Sequence, residues 1–454
     1  MSKPLCVDLD FSIFGINLVD EVNSLRIKNL YCISVTDAAK KIIPTAPINQ
    51  SVKNYILKQK QLGVKVYGIT SLPQSTVEYF LSRFSYLDGI FGSDGKKILK
   101  SNNRSRMLAE KFGQQGFDYL GPIYSHRSIW KMADKKIVTS TGSRFISSLS
   151  QKKFDLILEK NPTSVATIIK QLRPHQWPKN FLLFIPGITA HHFSMDFLAS
   201  GFLGFFALSL VASGGYIVND MFDLWADRSH SKKKHRPLAS GSISIKFALW
   251  IAGFVIILGL MLASLLSSAF ALVAFLYLIF SISYSLFLKN ILLLDVFFLA
   301  LLYTLRIYAG GIVAGVPVSS WLYTYSAFFF LSLAFMKRFI ELKSFVGNGN
   351  EVLPGRRYSK IDESTVQQLG ISSGFASIVV FSLYIYQEST RSLYHSPEFL
   401  WVVSFLILIW INRIWILAQR GVVDHDPISF AIKDKISWFI ACLTISTLVV
   451  ATYI

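Results

Sequence analysis

Hydrophobic and polar positions divide the chain into two regimes. Through about residue 160, short apolar runs alternate with mixed stretches, and from about residue 180 long apolar runs recur to the C-terminus. In the first regime PLCVDLDFSIFG (Pro4 to Gly15) reads as a short strand ending at Asp8 and Asp10. GVKVYGITSLP (Gly63 to Pro73) reads as a second, ending at Thr70 and Ser71. GFDYLGPIYSHRSIW (Gly116 to Trp130) and KKIVTS (Lys135 to Ser140) suggest further strands, with helical stretches such as 47–62 and 74–86 between them. Strands alternating with helices predict an α/β domain on a parallel sheet.

In the second regime the unit is the membrane span, which needs roughly 20 apolar residues. The pattern offers nine candidates: about 180–190, 197–219, 244–266, 268–288, 291–314, 321–340, 367–387, 398–417 and 434–453. The first is short and interrupted by Pro186 and Gly187. The expected fold is therefore an N-terminal α/β domain over 1–145, an amphipathic linker over 146–170 and an all-α polytopic membrane domain of about nine transmembrane helices over 171–454. The linker, a mixture of apolar and basic residues, reads either as one or two amphipathic helices on an anionic leaflet or as a plain connector.

Composition adds an orientation. The 454 residues carry 46 Lys+Arg against 27 Asp+Glu, a formal charge of +19, and 52% of them are hydrophobic. Nucleic acid, anionic lipid and phosphorylated substrates all attract such a charge. In a chain this apolar, the bias of Lys and Arg towards cytoplasmic loops accounts for most of it, so a nucleic-acid partner is not expected. The loop from Arg228 to Lys246 holds Arg228, Lys232, Lys233, Lys234, Arg236 and Lys246, and the segment after the sixth candidate holds Lys337, Arg338, Lys343, Arg356, Arg357 and Lys360. The alternate loops are nearly bare. This asymmetry predicts a cytoplasmic N-terminal domain, and nine spans would leave the C-terminus outside. Cys6, Cys32 and Cys442 have no metal-like or disulfide-like spacing, and the N-terminus lacks a secretory apolar core.

The densest chemistry lies where the second candidate span ends, in NDMFDLWADRSHSKKKHRPLASG. On a helix Asp220, Asp223 and Asp227 stand at i, i+3 and i+7 and share a face. Three carboxylates there repel one another unless a hard divalent cation intervenes, and Mg²⁺ takes carboxylate together with phosphate oxygens. The basic tail from Lys232 to Arg236 offers donors to the same phosphates. The bland alternative is a solvated acidic–basic loop capping a span. Carboxylates at membrane depth are costly and usually functional, which favours the metal–diphosphate reading.

Those residues, from Asn219 through Asp220, Asp223, Asp227, Lys233 and Arg236, resemble the first signature, NDxxDxxxDxxHxxKxxRPL, of the UbiA superfamily of intramembrane prenyltransferases. RPHQWPKN (Arg173 to Asn180) is similar to the segment before the first span in that family, and brings in Arg173 and Lys179 as substrate contacts. The resemblance covers about residues 165–454 and implies nine helices around a central cavity, with Mg²⁺ as cofactor.

Most members carry a second acidic motif, DxxxD, after the sixth span; here LAFMKRFIELKS stands instead, with Lys337, Arg338 and Glu341. That departure resembles the branch of decaprenylphosphoryl-5-phosphoribose synthases. SYSLFLKNILLLDVFFLALLYTLRIYAGG (Ser283 to Gly311), GRRYS (Gly355 to Ser359) and DHDPISFAIKDKIS (Asp424 to Ser437) resemble other segments of the same branch. The resemblance implies phosphoribosyl pyrophosphate as donor and a polyprenyl phosphate as acceptor, in a bacterial cytoplasmic membrane, for envelope polysaccharide precursors. Asp220, Asp223 and Asp227 would hold the metal as the catalytic acids. Asn219, Lys233 and Arg236 would meet the leaving group, and Lys337 and Arg338 the ribose 5-phosphate or lipid phosphate. Glu341 is the remaining acid. Lys289 reads either as a snorkelling terminal lysine or as an anion contact. Arg306, well inside the fifth span, is expected to face the cavity rather than pair with Asp295. His175, His191 and His192 read as interfacial polar residues. Assembly of several copies stays open.

Two other functions fit less well. Prenyl transfer to an aromatic or other small acceptor needs the missing acidic motif. A lipid-phosphate carrier or scaffold without turnover has no need of intact acids.

The first 145 residues resemble the haloacid dehalogenase-like phosphatase fold. DLDFS places Asp8 where that family has its nucleophile and Asp10 its acid–base, and Thr70 matches the second motif. Arg104 stands at the usual lysine, and Pro122 and His126 where metal ligands are expected. These departures imply a degenerate site without catalysis.

Overall fold

The computed structural model describes residues 3–454 except 15, 29–31, 95–98, 100, 124, 126, 141–153, 160–162, 193, 231, 346–350, 354–355, 392 and 424–425. The chain divides into two compact units, one of Met1–Leu172 with Ile217–Ala252 and one of Arg173–Tyr216 with Gly253–Ile454.

The first unit is built on six parallel strands, β1 Leu5–Asp8, β2 Val66–Pro73, β3 Gly89–Ser93, β4 Asp118–Pro122, β5 Lys136–Ser140 and β6 Leu156–Glu159, in the order β3-β2-β1-β4-β5-β6. Helices α1 Leu18–Lys28, α2 Val35–Ile42, α3 Gln50–Gln61, α4 Val77–Arg83, α5 Ser101–Phe112 and α6 Arg127–Met132 accompany the strands. Central β1 is buried along its whole length, as parallel strands covered on both faces are. After it the chain winds into one wide turn over Leu9–Ile13, capped by Asp8 accepting from the Phe11 N–H at 3.0 Å.

The linker differs from expectation. FDLILEK carries strand β6, paired in register with β5 from Ile137↔Leu156 to Ser140↔Glu159. A four-residue edge strand flanked by lysines has the same polar–apolar mixture as a surface helix, which is why the pattern misleads. Helix α7, Val165–Leu172, closes this stretch, so the first unit runs past residue 145.

Seven helices among the described residues are long and apolar enough to cross a membrane: Met195–Phe222, Ile245–Leu266, Ser268–Leu286, Leu294–Ala314, Lys360–Ile385, Pro397–Gln419 and Lys435–Tyr453. Each coincides with a candidate read from the sequence. The 321–340 candidate is a 24-residue helix, Ser320–Lys343, whose tyrosines, serines and charged end dilute its hydropathy. The 180–190 candidate is corrected: a 3-10 stretch, Pro174–Phe184, runs into a five-residue helix, α8 Ile185–Thr189. Pro178 and Pro186 remove the backbone donors that a regular span would need.

The remaining helices are numbered onward as α9 Met195–Phe222, α10 Leu224–Ser229, α11 Ile245–Leu266, α12 Ser268–Leu286, α13 Leu294–Ala314, α14 Ser320–Lys343, α15 Glu363–Ile385, α16 Glu388–Arg391, α17 Leu400–Gln419, α18 Pro427–Lys433 and α19 Lys435–Tyr453. Within the second unit, small residues allow close packing. A Cβ added at Gly370 would fall 2.4 Å from the Trp415 ring, and one at Gly310 only 2.2 Å from the Leu183 carbonyl oxygen. The outward faces stay apolar. On α11, Phe254, Ile257, Met261 and Leu265 are all more than half exposed, an apolar stripe suited to lipid.

Candidate active site

In the first unit, the end of α9 delivers the acids. Asp220 lies in its last turn and is 2% exposed. The helix is interrupted for one residue at Asp223, which stands at the N-cap of α10, and Asp227 follows in that short helix, also buried. Backbone bonds from the Asp223 N–H to Asn219 (2.9 Å) and from the Asp227 N–H to Asp223 (2.8 Å) keep the helical path across the junction. Asp220 and Asp227 therefore still meet. The continuous helix expected there is broken for one residue at Asp223, which is half-buried at the junction.

Arg236 closes the cluster. A 3-10 turn at Lys233–His235 reverses the chain, and one guanidinium nitrogen of Arg236 reaches Asp220 at 3.2 Å and Asp227 at 2.5 Å. Asp220 also accepts from the buried Gln171 amide at 3.1 Å. Lys233 is exposed on the turn and Asn219 is half-buried. Among the described residues no three histidine, cysteine or carboxylate side chains gather closely enough to hold a metal ion. Two carboxylates converging on one cation are nonetheless a hard-oxygen donor set suited to Mg²⁺, with Arg236 standing where positive charge is wanted.

Three polar centres of the second unit hold residues singled out in the sequence. Lys179, largely buried, reaches Asp426 at 2.5 Å and lies 5.8 Å from the Tyr303 ring centre. Asp426 caps α18, accepting from the Ile428 N–H at 3.2 Å and the Ser429 hydroxyl at 3.1 Å. Burial disfavours the charged form of Asp426, but Lys179 and Lys337 outweigh it and hold its carboxyl well below the usual range. Tyr303, Lys337, Asp426 and Pro427 help to line a small pocket.

Arg306 forms the second centre, 3% exposed. It donates to Asn180 at 2.9 Å, the Leu302 carbonyl at 2.6 Å and the Tyr277 hydroxyl at 2.6 Å. Asn180 in turn donates to Ser209 at 2.8 Å. Arg306 is not the partner of Asp295; all three kinds of guanidinium nitrogen are held by neutral acceptors. Arg173 enters the 3-10 stretch with a left-handed backbone (φ 54) and lies 5.7 Å from the Tyr216 ring centre.

The third centre is Arg338, fully buried between Asp295, at 2.6 Å, and Glu341. The Tyr358 hydroxyl donates to Asp295 at 2.7 Å. Glu341 and Lys337 are half-buried, and the Lys289 carbonyl accepts from Arg356 at 3.3 Å.

The N-terminal motifs also converge. Thr70 donates to Asp10 at 2.6 Å, Ser71 donates to it through its N–H at 2.7 Å and hydroxyl at 2.5 Å, and Arg104 bonds both Asp10, at 3.1 Å, and Asp8. Tyr119 donates to Asp8 at 3.3 Å. Pro122 ends β4, and His126 lies outside the described residues.

The model of the UbiA prenyltransferase family matches residues 182–431, more than half of the chain. The protein belongs to the UbiA prenyltransferase family. This UbiA-family chain is 35% identical over 410 residues to uncharacterised protein y4nM of Sinorhizobium fredii, covering 89% of its own length and 79% of the relative. It is 33% identical to nodulation protein NoeC of Azorhizobium caulinodans, over 59% of this chain and 87% of that one. It is 26% identical to decaprenyl-phosphate phosphoribosyltransferase of Mycolicibacterium smegmatis, over 64% of this chain and 93% of that one. With seven helices among its described residues long and apolar enough to cross a membrane, it is an integral membrane transferase.

Asp426, Gln171 and the Glu21–Arg228 pair described below were not singled out from sequence. Asp426 had a signal, since Asp before Pro is a strong N-cap. Gln171 had none, because nothing local ties it to an acid 49 positions away.

Proposed function

We propose that this UbiA-family protein transfers 5-phosphoribose from phosphoribosyl pyrophosphate to a polyprenyl phosphate with Mg²⁺. The observation that carries this reading is a charge pattern. The acid cluster Asp220–Asp227 is kept, while the place of the usual second acidic motif is cationic, with Lys337 beside the Lys179–Asp426 pair. A donor with two phosphorylated ends and an anionic acceptor suit that balance better than a neutral aromatic acceptor. The relative named decaprenyl-phosphate phosphoribosyltransferase supports the same choice.

Asp220, Asp227 and, at the junction, Asp223 would hold the metal. When bound, Mg²⁺ would neutralise the pyrophosphate leaving group. Arg236, released from its two carboxylates, and Lys233 would balance the charge growing there. The bond from the anomeric carbon to pyrophosphate breaks, and a lipid phosphate oxygen forms the new one. The attacking oxygen is already anionic, so no general base is required. Lys337 and Lys179 would hold the ribose 5-phosphate or the lipid phosphate. The Arg306 and Arg338 centres would shape the second unit's polar interior by holding Asn180 and Asp295. The N-terminal domain, with Arg104 between Asp8 and Asp10, would be a dehalogenase-like domain without phosphatase activity. We place the protein in a bacterial cytoplasmic membrane with that domain inside, from the loop charges.

The test is Asp220→Asn and Asp223→Asn in purified full-length protein. Each should abolish Mg²⁺-dependent transfer while leaving the melting temperature near that of the parent. Parent-like turnover in either would remove the metal assignment.

A further inference from the structure

A buried ion pair joins the N-terminal domain to the acid-bearing segment. Glu21, in the first turn of α1, is 2% exposed, and Arg228, the residue after Asp227, is 8% exposed. The two are paired as a fork, Nη1 to Oε2 at 2.6 Å and Nη2 to Oε1 at 2.6 Å. The remaining Nε–H of Arg228 donates to the Ala239 carbonyl at 3.0 Å, three residues beyond Arg236. One guanidinium thus ties α1, the acid helix α10 and the loop that returns Arg236 to the acids. Around it, Trp225 packs against the hydrophobic core of the α/β domain. Asp20 meets Lys246 at 3.1 Å, and the Thr163 hydroxyl donates to the Ser242 carbonyl at 2.9 Å.

A planar fork fixes orientation as well as distance. Its burial makes a half-broken pair costly, because the remaining charge has no water to turn to. Arg228 adjoins Asp227 in the chain, and it grips the loop that carries Arg236. Fixing Arg228 therefore fixes how Arg236 approaches Asp227 and Asp220. Asp8, Asp10 and Arg104 do not contribute to this tie.

We propose that Glu21 is a positioning residue for the acid cluster: through Arg228, the α/β domain sets the geometry of Asp220 and Asp227. The domain is then a working part of the transferase, although its own motif is degenerate. The metal-binding arm of the test rests on the function proposed above; the exchange arm does not.

The experiment uses the full-length protein in detergent or nanodiscs, with Glu21→Gln, Arg228→Gln and the double variant. Hydrogen exchange is followed over 224–240, with β1 and β4 as internal controls for domain folding. Glu21→Gln should raise exchange across 224–240 by roughly a hundredfold while β1 and β4 stay protected, and the double variant should be less affected than the two singles combined. Mn²⁺ binding, read by its paramagnetic resonance signal, should weaken at least tenfold in Glu21→Gln. Unchanged exchange over 224–240 in Glu21→Gln, or loss of protection in β1 and β4 equal to that in 224–240, overturns the proposal. Raised exchange over 224–240 in Glu21→Gln, alongside a parent that binds no Mn²⁺, keeps the positioning role and removes the metal reading instead.

Discussion

Replacing Gly310 by alanine tests how the polar interior of the second unit is held. The new Cβ would stand 2.2 Å from the Leu183 carbonyl oxygen and 2.8 Å from its carbon. A normal contact of this kind is about 3.3 Å, so α13 and the 3-10 stretch must part by roughly 1 Å. The obstacle is backbone, which cannot swing aside as a side chain can. The same two elements carry the 2.9 Å bond from Arg306 to Asn180. A shift of that size takes it past about 3.5 Å, where a hydrogen bond is lost. Overpacking costs about 1–3 kcal/mol and a charge-assisted hydrogen bond about 1.5–3 kcal/mol. The assay is thermal unfolding of purified protein in detergent. The control is Gly253→Ala on α11, where a Cβ meets nothing within 4 Å and the gain in helix propensity is up to about 1 kcal/mol. Gly310→Ala should melt well below the parent and Gly253→Ala at or above it. Equal melting of the two variants would refute the close-packing argument.

Asp8→Asn should leave phosphoribosyl transfer nearly unchanged in the label-transfer assay, because Arg104 keeps Asp10 as a partner; a large loss would revive a working N-terminal site. Lys337→Ala should raise KM for the phosphorylated substrates by about tenfold, the worth of one charge-assisted bond, and an unchanged KM would remove Lys337 from the anion site. The Arg413 pair and the Ser437 contacts lower the Asp434 carboxyl to about 2. A depressed carboxyl contributes stability that is present above the unfolded value near 3.8 and lost as pH falls through about 2. Melting of parent and Asp434→Asn should therefore differ at pH 6 and converge towards pH 2, and a constant difference would contradict the pairing.

Much of this arrangement was legible in the chain because the signals are local. The parallel sheet follows from β1 and β2, whose apolar runs end in Asp8 and Thr70, and seven spans follow from apolar length alone. The acids were visible because Asp220 and Asp227 recur at helical spacing and Arg236 closes the motif. The one-residue break at Asp223 was not, since no glycine or proline marks it. Strand β6 was hidden by its brevity. The roles of Arg306 and Arg338 were hidden for another reason. A buried arginine does not show in sequence which distant groups it meets, and Tyr277, Asn180 and Asp295 lie far along the chain from Arg306 and Arg338.

The most direct measurement is transfer of label from phosphoribosyl pyrophosphate to polyprenyl phosphate by the purified protein, with and without Mg²⁺. The expected result is a lipid-soluble labelled product that requires Mg²⁺. No such product, alongside activity with a prenyl diphosphate and an aromatic acceptor, would contradict the account and return this UbiA-family protein to prenyl transfer.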